Sequence, residues 1–137
     1  MTVPIITRRA TFALPAALAL GARPARAATI APFTEAAFAA AQAKDRPIMI
    51  HIFATWCPVC AAQTPVIERL AADPAFKGMT ILRVNFDTQK PVVRAFGARM
   101  QSTLIAFHGR DRVATLVGQT DHAAIRALFV SAESGHA

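Results

Sequence analysis

The stretch that most constrains this chain is FATWCPVCAAQTP, Phe53–Pro65. It holds both cysteines, Cys57 and Cys60, with only Pro58 and Val59 between them. Immediately upstream, RPIMIHIFA (Arg46–Ala54) is an apolar, β-branched run bounded by a proline and by the cysteine motif. It reads as a buried strand. Downstream, the pattern predicts a helix from Pro58 to Ala72, with Pro58 in the first turn, where a missing N–H removes no bond, and Pro65 as a kink. Cys60, Ile67, Leu70 and Ala71 fall on one face of that helix, which leaves Gln63, Glu68 and Arg69 toward solvent. The two sulfurs therefore sit where a strand ends and a helix begins.

Cysteines so placed can be a structural staple, two metal ligands or a working redox couple. A bridge closing a two-residue gap removes little unfolded-chain entropy, which argues against a staple. A helix N-terminus presents unpaired N–H groups and a partial positive charge, so a thiolate there is stabilised. Cys57, on the N-cap side, is the expected attacking sulfur. Cys60, one turn deeper and more buried, is the expected resolving sulfur. The metal alternative needs further ligands beside the two thiolates, with His51 or Ser102 the nearest candidates for Cu(I) or Zn.

The remaining pattern alternates helices and strands. PFTEAAFAAAQAK (Pro32–Lys44) reads as a helix with Thr34 as N-cap and Phe33 and Phe38 toward the core. Met79–Phe86 reads as a strand, and Pro91–Ala98 as a short helix stopped by Gly97. Ser102–His108 and Arg112–Gly118 read as a hairpin about the turn Gly109–Asp111. Thr120–Ala132 is a final helix capped by Thr120 or Asp121, followed by a loose tail over 133–137. The predicted fold class is α/β: a four-stranded mixed sheet with helices on both faces. Phe96, Phe107 and Phe129 are assigned to the core, His108, His122 and His136 to the exterior, and Asp87 and Lys90 to a solvated turn.

Residues 1–27 have the organisation of an export signal. Thr7–Arg9 supplies basic charge, Ala10–Ala22 an apolar run too short to span a bilayer comfortably, and Ala25–Ala27 a small-x-small cleavage site. Arg8–Arg9 ahead of Phe12 loosely resembles a twin-arginine signal. The alternative for this segment is an N-terminal anchor. The formal charge of +7 overstates the basicity of the rest: beyond residue 27 eleven basic residues face eight acidic ones, a net of +3. No basic run or aromatic-interleaved basic patch supports nucleic-acid binding. Export places the chain in the periplasm, an oxidising compartment in which disulfides persist.

ATWCPVC behind an apolar strand resembles the Trp-Cys-x-x-Cys site of thioredoxin-like thiol–disulfide oxidoreductases, and the likeness extends over Ile48–Phe129. Trp56 precedes the first cysteine, Pro65 falls where that family kinks its helix, and VNFD (Val84–Asp87) and FGARMQSTLIAFHG (Phe96–Gly109) resemble later family stretches. The resemblance implies a thioredoxin-like fold over 28–132. It also implies catalysis by Cys57 and Cys60 without a cofactor beyond the disulfide. Protein thiols and disulfides would be the partners, meeting Trp56, Pro58, Val59, Ser102 and Thr103, with a membrane electron-relay protein as donor. Two positions depart from the family. Ser102 stands where the family has a cis-proline, so its peptide is expected to be trans or locally strained. His51 stands where a buried aspartate is common, with Arg83 at the place of the neighbouring lysine. The expected role of His51 is to accept a proton from Cys60, with Arg83 favouring the neutral ring. The uncharged Pro58–Val59 pair argues for a reductase or exchange protein rather than a strong oxidant.

Overall fold

Strand β2 (Pro47–Phe53) is buried at every residue except the half-buried Phe53. A strand covered on both faces has no polar side to show, which explains its unbroken apolar run. The computed structural model describes residues 27–137, so the leader expected over 1–27 lies outside the described residues but for Ala27. β2 pairs in parallel with β3 (Thr80–Asn85) and antiparallel with β4 (Thr103–His108). β4 returns as β5 (Asp111–Val117) through a tight turn in which Gly109 takes φ +55°, a conformation glycine adopts at little cost. A side chain there would collide with Asp45.

The sheet has five strands, in the order β1-β3-β2-β4-β5, where four are expected from the sequence. The extra edge strand, β1 (Thr29–Pro32), pairs in parallel with β3. It is short, mostly exposed and ends in proline, so it carries no alternating apolar signal; proline is tolerated at an edge because no outer neighbour needs its N–H. Pro32 therefore belongs to a strand, and helix α1 (Glu35–Ala43) begins later than the sequence pattern suggests. Its N-cap is Thr34, whose hydroxyl accepts the Ala37 N–H at 3.0 Å.

The helices divide between the faces. α2 (Pro58–Ala72) and α4 (His122–Ser134) pack on one side around Met49, Ile81, Leu104 and Phe129. α1 and α3 (Lys90–Ala95) pack on the other around Ile48, Ile50, Ile52 and Phe96. α4 is capped by Asp121, which accepts the Ala124 N–H at 2.9 Å. It runs two residues into the segment expected to be loose and stops where Gly135 turns left-handed at φ +71°. His108 is half-buried rather than exterior, its Nδ1 lying 2.8 Å from the Ala132 carbonyl. Alternation along β2 is what positions the site: Met49 and His51 point toward α2 and α4, so His51 lies beneath α2, whose N-terminus carries the cysteines.

Candidate functional site

The cysteines are set by the junction of β2 and α2. Cys57 has the extended backbone of an N-cap (φ −86°, ψ 113°), and its sulfur accepts the N–H of Cys60 at 3.1 Å. Pro58 follows at the first helical position. The Cys57 carbonyl accepts the Ala61 N–H at 3.1 Å, which starts the helical ladder. Both thiols are free, and their sulfurs are 2.6 Å apart. Burial does not separate them as the sequence implies it should, since Cys57 is 3% exposed and Cys60 2%. Hydrogen bonding does. Cys57 sits at the positive end of a helix and receives an N–H. Cys60 is pushed up to about 11, first by burial and then by its hydrogen bond to Cys57, with the backbone of Ala54 and of Ser102 opposing the shift.

His51 is almost wholly buried and is held near 4, first by burial and next by the Arg83 guanidinium; the Gln63 side chain works weakly the other way. The ring is therefore neutral at physiological pH. Arg83 stacks 4.1 Å from the centre of the Phe53 ring, which fixes its charge beside His51. A crevice of about 10 Å3 between α2 and the sheet, lined by His51, Thr64 and Arg83 among others, has room for one water at most.

Gln63 corrects the sequence-based expectation. Helical periodicity assigns it to the solvent side of α2, yet it is fully buried. Its amide nitrogen donates to the Ser102 carbonyl at 3.2 Å and to the Gln119 carbonyl at 2.8 Å. Two loop carbonyls thus satisfy its buried amide nitrogen, while Oε1 is buried without a partner among the described residues. No peptide among the described residues is cis, and Ser102 sits in the left-handed region at φ +59°. That region is unfavourable for a residue with a Cβ. Its hydroxyl donates to the Gln101 carbonyl, and its own carbonyl also accepts the Gly118 N–H at 2.9 Å. Thr103 donates its hydroxyl to the Met100 carbonyl at 2.8 Å. Ser102 and Thr103 are both buried, so their side chains offer little surface to a docking partner.

The open part of the site lies elsewhere. Trp56 is 60% exposed and Met100 46% exposed; Pro58 is exposed and Val59 half-buried. Trp56 Nε1 donates to Asp87 Oδ2 at 2.8 Å, so Asp87 is part of the site's rim and not a bystander in a solvated turn. Asp87→Ala should release the indole, shift its fluorescence and cost no more than about 1 kcal/mol, because the bond is exposed. Unchanged emission would mean the bond is not made in solution. Among the described residues no three of His, Cys, Asp and Glu come together to hold an ion, so the metal-module alternative gains no further ligand.

Residues 29–131 match the Thioredoxin family. The chain belongs to the thioredoxin family. Thioredoxin of Alicyclobacillus acidocaldarius is 34% identical over 85 residues, which cover 62% of this chain and 80% of that protein. Thioredoxin of Mycobacterium tuberculosis is 32% identical over 93 residues, 67% of this chain and 79% of that protein. The crystal structure of Trxlp from Edwardsiella tarda superposes with a TM-score of 0.72 at 36% identity, covering 74% of this chain and 98% of that one. Thioredoxin of Malassezia sympodialis superposes at 0.68 with 24% identity, over 77% of this chain and 91% of that one, a likeness of fold alone. The dithiol at the head of α2 is accordingly that of a thioredoxin-family thiol–disulfide oxidoreductase.

Proposed function

We propose that this thioredoxin-family chain works outside the cytoplasm, in the periplasm, as a reductase or exchange protein for protein disulfides. The observation that carries the direction is the uncharged first turn of α2. Pro58, Val59 and Ala61 bring no charge to Cys57, so its thiolate draws on the helix end and the Cys60 N–H alone. A strong oxidant needs a reduced form stabilised well beyond that. Cys57 attacks the substrate disulfide, Cys60 resolves the mixed disulfide, and His51, a weak base held near 4, does no more than pass the resolving proton toward solvent. Trp56, Pro58 and Val59 form the docking rim, and Ser102 and Thr103 contribute through their backbone. No cofactor beyond the disulfide takes part.

The location rests on the charge and apolar pattern of residues 1–27. The donor we propose is a membrane protein that relays electrons from the cytoplasm, since an oxidising compartment supplies none. A Mycobacterium leprae relative, 30% identical over 88 residues, is named a bifunctional thioredoxin reductase/thioredoxin, and the chain spans only 19% of it. The deciding measurement is the reduction potential of the Cys57–Cys60 couple. A value near about −270 mV is expected; one near about −120 mV would reverse the direction proposed.

A further inference from the structure

The face of the sheet beneath α2 stays open toward its β1 edge. There β1, β3 and β2, which are neighbours in the sheet, set their side chains in register. Pro32 of β1 pairs with Arg83 of β3, and Arg83 with His51 of β2. One step further along, Asn85 stands beside Phe53. Ile30, Pro32, Phe53, Arg83 and Asn85 enclose most of a pocket of about 330 Å3, whose lining includes none of Trp56, Pro58 or Val59. Its walls are mainly apolar: Ile30 is 39% exposed at the sheet edge and Pro32 is exposed beside it. Paired strands hold these walls, so the pocket is formed before any ligand arrives.

The polar side chains of the pocket offer donors rather than acceptors. Gln89 is committed at both ends: its Oε1 accepts the Asn85 N–H at 2.9 Å, and its Nε2 donates to the Phe33 carbonyl at 3.3 Å. Asn85 uses its oxygen for the N–H groups of Asp87 and Thr88, at 2.9 and 3.1 Å, which leaves its NH2 as the donor it can offer. Arg83 brings the single charge. Phe53 covers one face of its guanidinium at 4.1 Å, which fixes the plane of the group. The fold leaves that guanidinium uncommitted, for its buried Nε has no hydrogen-bond partner among the described residues. An adjoining crevice shares Ile30 and Arg83 with the pocket and contains one acid, Glu68. Glu68 is exposed on α2, where an ion pair would contribute little.

We propose that this pocket is a binding site for a small organic carboxylate, whose charged end meets the Arg83 guanidinium while its apolar body lies against Ile30, Pro32 and Phe53. A planar guanidinium matches a carboxylate through two parallel N–H···O bonds, which favours it over a compact anion such as chloride. A phosphate, tetrahedral and more highly charged, calls for a second cation that the pocket lining lacks. The volume suits one small molecule, whereas a protein partner needs about 800 Å2 of surface on each side. The ligand sits behind the dithiol rather than on its docking rim, since Phe53 lines the pocket and also packs against the cluster of Ala54, Cys57 and Cys60. Nothing in the site depends on the direction in which the dithiol passes electrons.

The test titrates the reduced full-length chain with phenylbutyrate at pH 7 and follows its methyl and amide resonances by NMR. Saturable shifts centred on Ile30 and Arg83 are expected, with a Kd on the order of 1 mM, together with nuclear Overhauser contacts from the phenyl ring to the Ile30 methyls. The neutral phenylbutyramide should bind about tenfold more weakly or worse, and so should the carboxylate to Arg83→Met. The amide comparison uses the unaltered chain, so it decides the matter even where the variant folds poorly. Equal binding of acid and amide, or shifts that chloride reproduces at the same concentration, leaves the guanidinium without its role, and the site falls. A flat titration to about 10 mM has the same meaning. Contacts to Trp56 in place of Ile30 put the ligand on the docking rim and overturn the site as well. Shifts at Ile30 that grow with protein concentration alone mean that a second copy covers the pocket, which also overturns it.

Discussion

Cys57→Ser should lose turnover of a protein disulfide by a factor on the order of 10^3 or more, whereas Cys60→Ser should complete one attack and then hold its partner covalently. The asymmetry follows from the helix start. Cys57 Sγ lies at the N-cap, at the positive end of α2, and accepts the Cys60 N–H. A serine hydroxyl in the same place is not ionised at neutral pH, and the one thiol left in the chain is Cys60. Cys60 has the opposite environment, buried and pushed up to about 11, and is poorly suited to open a substrate disulfide unaided. It is well suited to close one, because a mixed disulfide on Cys57 brings the electrophilic sulfur beside it. Insulin reduction measures the first effect, and mass spectrometry of the trapped complex the second. A Cys60→Ser chain that frees its partner, or a Cys57→Ser chain that turns over, would overturn the assignment of roles.

The parts of this molecule that the sequence announces are those with a repeating or sharply local signal. The unbroken apolar run of β2, the cysteine pair beside Pro58, and the caps Thr34 and Asp121 each state their structure within a few residues. β1 does not, because a four-residue exposed edge strand ending in proline buries too little to imprint a pattern. Gln63 misleads for a different reason. Helical periodicity assigns a glutamine to water, and only the hairpin ends that close over α2, Ser102 and Gln119, give its amide two carbonyls to satisfy. Those partners are remote in sequence, so no local rule reaches them. Asp87 is the same case at the surface, joined to Trp56 from the far end of β3. The positive φ of Ser102 is likewise the product of contacts from three segments rather than of its own preference.

Acid should destabilise this fold through His51, by about 2.5 kcal/mol on going from pH 7 to pH 4.5. In the unfolded chain the imidazole takes up its proton near 6.5; in the folded protein it does so only near 4, because burial and then Arg83 oppose the charge. Between those values the unfolded chain binds a proton that the native one refuses, so falling pH pulls the equilibrium toward unfolding. The contribution is intact above about pH 6.5 and is lost progressively as pH drops toward 4. Glu133 runs the other way, since burial raises its carboxyl and protonation of that group favours the fold. A comparison with His51→Leu removes this and every other shared titration. Urea unfolding at the two pH values should therefore show the wild type losing about 2.5 kcal/mol more than His51→Leu. The loss should shrink in Arg83→Met, where burial alone depresses the ring. If wild type and His51→Leu lose stability in parallel, the imidazole is not held uncharged beneath α2. The same measurement bears on the reaction: a ring held near 4 is neutral across the working range but a weak base, so a proton leaving Cys60 would not rest on the imidazole and must pass on to solvent.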